Sequence, residues 1–233
     1  MREIAQIRKL GLWIFLVPFV GINLCLLISV NYSFLENTKF VVDQIGRSNF
    51  TIPYLDGSLS ISRASRTFPQ YLIFKPAMII TGTLLIFYWI SINRLINIFT
   101  SSDKNFKFQL YGIISAILLI IHSIFLGIEF DIKIIKLFKR IILLGFIICE
   151  IIAQALLIVK FYKLKSEIQR YFNKVILKIK MVLISVLIIV AVIAIPFLNN
   201  EALANLKHGL EWNYFIGVVL FYLLSFFFWK RTT

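Results

Sequence analysis

The sequence predicts an all-α integral membrane protein: a six-transmembrane helix bundle with a long first extracytoplasmic loop and both termini cytosolic. Three observations predict it. Of the 233 residues, 60% are hydrophobic and 15% charged, whereas soluble domains carry roughly 45–50% and 25%. Mean hydropathy is +0.89. The apolar residues come in runs of about 20, the length that crosses the hydrocarbon core as a helix, and not in the short alternating segments of a barrel.

The spans run approximately over Gly11–Val30, Tyr71–Ile92, Gln109–Ile128, Ile141–Val159, Met181–Leu198 and Trp212–Trp229. The first follows Arg2, Arg8 and Lys9 as a signal peptide would, yet it exceeds a signal core and no small-x-small cleavage site follows it. It is read as a true span, so residues 1–233 form one six-span membrane domain. Lys and Arg number fifteen on the side of the termini and nine on the other side, with Lys75 inside the second span. That bias places both termini in the cytosol. It also accounts for the net charge of +14 by membrane topology, with no nucleic-acid partner.

Two polar stretches stand out between spans. The first loop, about 31–70, is longer than ordinary connections, and loops of that size are functional or disordered. Its second half is punctuated by Pro53, Gly57 and Pro69, and carries Ser58, Ser60, Ser62 and Ser65, whose hydroxyls suit loop backbone. Arg63 and Arg66, three apart, form a guanidinium pair suited to a phosphate; the alternative is a solvated loop. Asn49-Phe50-Thr51 fits a glycosylation acceptor. The second stretch is basic and cytosolic, about 160–180. From Phe161, apolar residues recur at helical spacing (Leu164, Ile168, Tyr171, Phe172, Val175, Ile179), with Lys163, Arg170, Lys174 and Lys178 largely elsewhere. Such a helix suits an anionic leaflet. Equally, it is a cytosolic extension of two spans with a solvated basic face.

Ionisable residues inside spans are costly and count as functional candidates. Glu150 lies mid-span with Gln154 one turn on, His122 lies toward the outer end of the third span, and Glu129 follows seven residues later. Glu211 and Trp212 open the sixth span. His122 is a candidate general base, oriented by Glu129 or Glu211, because a carboxyl can fix the tautomer of a histidine that moves protons near neutral pH. The alternative is a structural polar cluster. No serine or cysteine is marked as a nucleophile; Cys25 and Cys149 sit in apolar runs with no metal-ligand spacing. The chain has no HExxH, GxSxG, Walker or dinucleotide pattern, so no metal and no cofactor is expected.

These features together carry a resemblance. The six spans, the loop with Ser60-Ile-Ser-Arg63 and Pro69-Gln70 before the second span, His122 in the third and Glu211-Trp212 at the sixth resemble the Frag/DRAM/Sfk family. Within it they are most similar to the post-GPI-attachment lipid-remodelling members. The resemblance implies a membrane protein of the endomembrane system (ER or Golgi) if eukaryotic, or of the cytoplasmic membrane if bacterial. It also implies roles for Ser60, Ser62, Arg63, Gln70, His122, Glu211 and Trp212.

Three functions follow as expectations. The first is transfer of a fatty acyl chain to a lyso-GPI or related lysophospholipid at the outer leaflet, with His122, Glu129 and Glu211 catalytic. Ser60, Ser62, Arg63, Arg66, Gln70, Glu150 and Trp212 would then bind the phospholipid or GPI and an acyl donor. The second is a non-catalytic lipid sensor or scaffold recruiting a cytosolic partner. The third is a small-molecule transporter, resting on Glu150 and the six spans.

Overall fold

A computed structural model describes residues 2–31, 35, 38, 50–99, 107–128, 133–194 and 201–230. The chain forms α1 (Arg2–Val30), α2 (Pro53–Asp56), α3 (Ile61–Ser65), α4 (Tyr71–Phe99), α5 (Lys107–Phe125), α6 (Lys133–Lys163), α7 (Lys165–Ile168), α8 (Lys174–Ala194) and α9 (Ala204–Phe228). Among the described residues there is no strand, only one isolated bridge between Phe172 and Trp229. Six helices, α1, α4, α5, α6, α8 and α9, are long and apolar enough to cross a membrane.

The six pack as a closed ring in chain order, with α9 returning onto α1. Apolar attraction does not drive helix association in lipid, so close approach through small residues and internal polar contacts must hold such a ring. A Cβ at Gly11 would lie 2.7 Å from the Tyr222 carbonyl, and one at Gly112 would lie 2.3 Å from the Trp89 ring. These two positions let α1 approach the backbone of α9 and let α5 seat directly on the Trp89 ring of α4. Antiparallel packing of α1 and α9 puts both chain ends at one end of the bundle, where the Arg8 guanidinium stands 4.8 Å over the Phe226 ring.

Four helices begin about two turns earlier than the apolar runs suggest, α8 among them at Lys174 and not Met181. α1 starts at Arg2 and α9 at Ala204, so Glu211 and Trp212 lie two turns inside α9 and do not open it. The Lys133–Arg140 stretch, placed in a loop by its charge, forms the first turns of α6 because Ile134, Ile135, Leu137 and Phe138 continue the helical period. Lys139 Nζ donates back to the Ile128 carbonyl.

The basic stretch about 160–180 is not one surface helix. α6 runs on to Lys163, α7 is four residues long, and a 3-10 turn at Gln169–Tyr171 precedes α8. Its apolar members turn inward: Phe161, Leu164, Ile168 and Phe172 are buried against the bundle. Asn173 N donates to the Phe228 carbonyl at 2.8 Å and Lys230 N to the Tyr171 carbonyl at 2.9 Å, clipping this turn to the end of α9. Rings of Phe161, Phe172, Phe228 and Trp229 stack at 4.9–5.5 Å. Most of the apolar face is thus taken up by protein packing, as in an extension of two spans, while Val175 and Ile179 stay exposed on the first turns of α8. Lys163, Lys165, Arg170, Lys174 and Lys178 remain exposed.

Candidate functional site

At the opposite end, α2 and α3 form a cap on the bundle. Pro53 starts α2, where its missing N–H is no loss. Gly57 ends it at φ +62, and a Cβ there would lie 1.7 Å from the Asn205 carbonyl, so only glycine lets this turn seat on α9. Four side chains fasten the cap. Trp212 Nε1 donates to the Leu59 carbonyl at 2.7 Å, Asn213 Nδ2 to the Tyr54 carbonyl at 2.8 Å, His208 Nδ1 to the Gly57 carbonyl at 3.0 Å, and Tyr54 OH to Asn23 Oδ1 at 3.0 Å. Burial raises the Tyr54 phenol above its ordinary value, keeping it a donor.

Below the cap lies a cavity of about 340 Å³ lined by residues of α1, α3, α4, α5, α6, α8 and α9. Small-molecule pockets range over about 300–1,000 Å³, so this one holds a single slender guest. Its lining on α9 runs from Lys207 to Tyr222, roughly 22 Å at 1.5 Å per residue. That exceeds the roughly 15 Å of half a hydrocarbon core. Its walls are almost wholly apolar, with Ile14, Pro18, Leu85, Leu119, Phe146 and Val218 among them. Polar groups gather at two levels: Ser62, His122, Lys207 and Glu211 toward the cap, and Glu150 with Tyr222 at mid-bundle.

The cavity wall contains two loose ends. His122 Nδ1 and the Tyr214 hydroxyl are buried with no hydrogen-bond partner, although both residues line the cavity. Glu211 faces the backbone amides of Ser62 and Ile61 at the start of α3. His122 Nδ1 therefore receives nothing from Glu211, and the expected orienting pair is not formed; the first turn of α3 takes the carboxyl instead. Glu129, the other expected orienter, lies outside the described residues, as does Asn49.

The lower level is closed. Glu150, wholly buried, lies against Ser115 Oγ at 2.5 Å, accepts from Gln154 Nε2 at 2.9 Å, and accepts from the Tyr222 hydroxyl. Ser115 Oγ also lies 2.8 Å from the Gly112 carbonyl, and its one proton can serve only one of the two.

Comparison with known protein families, with curated proteins and with solved structures yields no match. The site therefore stands on its own geometry.

Of the residues singled out by sequence, Ser62, His122, Glu150 and Glu211 share the cavity wall. Ser60, Gln70 and Trp212 do not line it. Ser60 is the N-cap of α3, accepting from Arg63 N at 3.2 Å. Gln70 is fully buried, its amide held between the Thr67 and Phe68 carbonyls and Ser29 Oγ. Trp212 packs edge-on to Tyr54 at 4.8 Å. These three build the cap that shapes the cavity. Arg63 and Arg66 are exposed on the cap's surface, outside the cavity.

Sequence reasoning missed Tyr214, Tyr222 and Lys207, which read as ordinary members of a span or its flank. It also missed Lys180. Counted with the basic loop, Lys180 is instead fully buried, donating to Ser225 Oγ at 2.6 Å and lying 3.8 Å over the Phe221 ring. Ser225 in turn meets the Tyr88 hydroxyl at 2.9 Å. The one available signal was local: Lys180 directly abuts the unbroken apolar run that begins at Met181.

Proposed function

We propose that this chain is a membrane lipid-remodelling protein that draws one acyl chain of an outer-leaflet lipid into the bundle and presents its polar end to His122. The observation that carries the reading is the long apolar cavity with a polar upper level below the cap. Apolar walls favour a hydrocarbon guest, and unpaired buried polar atoms at one end favour a guest that is polar there. The resemblance to the lipid-remodelling branch of the Frag/DRAM/Sfk family supports the same class, with a lyso-GPI or related lysophospholipid as acceptor. The charge bias of the loops favours the cap facing the lumen or exterior and both termini facing the cytosol. In acyl transfer, His122 would take the proton of the acceptor hydroxyl.

The test is to purify the protein in mild detergent and identify retained lipids by mass spectrometry, comparing wild type with Ala191→Phe. Ala191 lines the cavity, and a phenyl ring there fills it. A defined single-chain lipid enriched in wild type and lost from a folded Ala191→Phe variant supports the reading. Bulk lipid alone in both sinks it. His122→Ala, expressed in cells lacking the wild-type chain, should abolish remodelled lipid if the chemistry is acyl transfer.

A second reading, a non-catalytic scaffold, is favoured by the exposed Lys163, Lys165, Arg170, Lys174 and Lys178 at the terminal end of the bundle. Replacing them by Gln would then abolish function, while His122→Ala would leave it intact.

A further inference from the structure

Resting on the lipid reading above, we infer that the guest enters sideways, from the hydrocarbon of the cap-side leaflet, through a portal between the cap-side halves of α6 and α8. The substrate is then a lipid resident in the bilayer, whose acyl chain crosses the portal, and not a solute arriving from water through the cap. The cavity wall is uneven in a way that marks this side. Every apolar lining residue of α1, α3, α4 and α5 is buried, Ile14, Ile61, Phe74 and Leu119 among them. Every apolar lining residue of α6 and α8 is half-buried or exposed, and Leu144 on α6 is 51% exposed while it lines the cavity. A side chain that faces both the cavity and the outside stands at an opening.

The packing of the two helices explains the opening. α8 buries Leu177, Lys180, Ile184 and Leu187, all in the part nearer the chain termini, and no residue from Ile188 to Ala194. It seats on α9 at Gly217, where an added Cβ would lie 2.6 Å from Leu187 Cδ2. α6 repeats the pattern: Glu150, Ala153, Gln154 and Leu157 are buried, whereas Ile142 is the one buried residue among the described side chains from Lys133 to Cys149. Gln154 Nε2 reaches the Val218 carbonyl at 3.4 Å, tying α6 to α9 at the level where α8 meets Gly217. Burial along both helices thus thins near mid-bundle, and the cavity occupies the space on the cap side.

The chemistry of the portal admits a hydrocarbon chain. Above Glu150, the lining that α6 and α8 supply is apolar: Leu143, Leu144, Ile147, Val190, Ala191 and Ala194. Ile141, Ile148, Ile189 and Val192 continue this apolar surface outward and are exposed. A polar solute or a lipid head would cross such a mouth without hydrogen-bond partners, at a large desolvation cost. An acyl chain crosses with none, because the bilayer interior is as apolar as the portal. Entry through the cap would instead have to displace the bonds that Trp212, Asn213 and His208 make to its backbone.

The experiment follows lipid exchange in full-length protein loaded with oleoyl lysophosphatidylcholine and reconstituted in dioleoylphosphatidylcholine vesicles. Deuterated oleoyl lysophosphatidylcholine is added to the vesicles, and native mass spectrometry reads both the amount retained by the protein and the rate at which label replaces unlabelled lipid. Leu144→Trp and Val190→Trp each put an indole in the mouth. Each should slow exchange about tenfold at an unchanged retained amount, because narrowing a passage slows entry and exit alike. Asn213→Ala removes a bond that holds the cap and should leave the rate as in wild type. Wild-type rates in both tryptophan variants overturn the portal, and faster exchange in Asn213→Ala at the same time places the entry at the cap; either result leaves the cavity as a lipid site. No label retained by wild type, or the same amount retained by Ala191→Phe, overturns the lipid reading itself.

Discussion

The Tyr222 hydroxyl donates to the Glu150 carboxyl at the floor of the cavity, tying α9 to α6 across the ring. Ser115 brings α5 to the same carboxyl at 2.5 Å, and Gln154 supports it from one turn along α6. One buried acidic side chain therefore joins three helices, and replacing it should cost more than replacing any single partner. Tyr222→Phe removes one of several donors and should cost about 1 kcal/mol, the usual range for polar contacts between membrane helices. Glu150→Leu strands the Tyr222 hydroxyl without its acceptor and leaves the Gln154 amide only the Val218 carbonyl at 3.4 Å, and should cost about 2–3 kcal/mol. Unfolding in mild detergent, followed by tryptophan fluorescence, checks the order; equal losses would show that the carboxyl does not organise the contact.

Lys180 presents the opposite case. Its ammonium group lies among Phe221 and Phe228 with Ser225 Oγ as its hydrogen-bond partner, so desolvation weighs heavily against modest compensation. Lys180→Met keeps the stem and removes the charge. It should leave thermal stability unchanged or raise it. Ser225→Ala keeps the charge and removes its acceptor, and should lower stability by about 1–3 kcal/mol. A large loss in Lys180→Met would mean that the ammonium contributes more than packing, and would direct attention to the Tyr88–Ser225 contact.

The six long helices were legible because hydropathy over 20 residues is a strong signal that packing does not override. Glu150 and His122, which line the cavity, stood out in the sequence because an ionisable group inside a span is expensive wherever it points. Which helix end each loop caps was not legible. Ser60, Gln70 and Trp212 looked like ligand contacts because polar and aromatic residues near a membrane face serve either purpose. Only the fold shows that their hydrogen bonds end within the protein, on backbone of the cap and, for Gln70, also on Ser29 of α1. The start of α6 was hidden for a different reason: four basic residues outweigh the helical period of their apolar neighbours in any count of charge. Lys180 was hidden because loop counting assigns a lysine to the nearest water.

The turn that opens the cap has its own pH dependence. Asp56 is exposed and accepts from Ser58 N at 2.9 Å, Thr51 Oγ1 at 2.6 Å and Ile52 N at 3.2 Å. These bonds favour the ionised carboxylate and lower it from 3.8 to about 2, with the Ser58 amide the largest contributor. Because the folded value lies below the unfolded one, the turn is supported at all pH above about 4, and this support fades as pH falls toward 2. Protection of the Ser58 and Ile52 amides, taken relative to the intrinsic exchange rate at each pH, should fall across that window in wild type. In Asp56→Asn it should be lower throughout and flat with pH. A flat wild-type profile would show that the carboxylate does not hold the turn.

Trp212 and Tyr214 sit two residues apart on α9, yet only Tyr214 lines the cavity, and this separates a scaffold residue from a site residue. Trp212→Phe removes the 2.7 Å bond to the Leu59 carbonyl while keeping a ring against Tyr54. It should cost about 1 kcal/mol of stability and loosen residues 50–70 to protease. Once the cap is seated, lipid affinity should match wild type. Tyr214→Phe removes a hydroxyl that has no protein partner, so stability should hold or rise, while affinity for the lipid retained in the cavity falls. Melting curves and lipid titrations on the same two preparations decide the matter. A Trp212→Phe protein that melts normally but loses lipid would place the indole in the site and move the polar end of the cavity toward the cap.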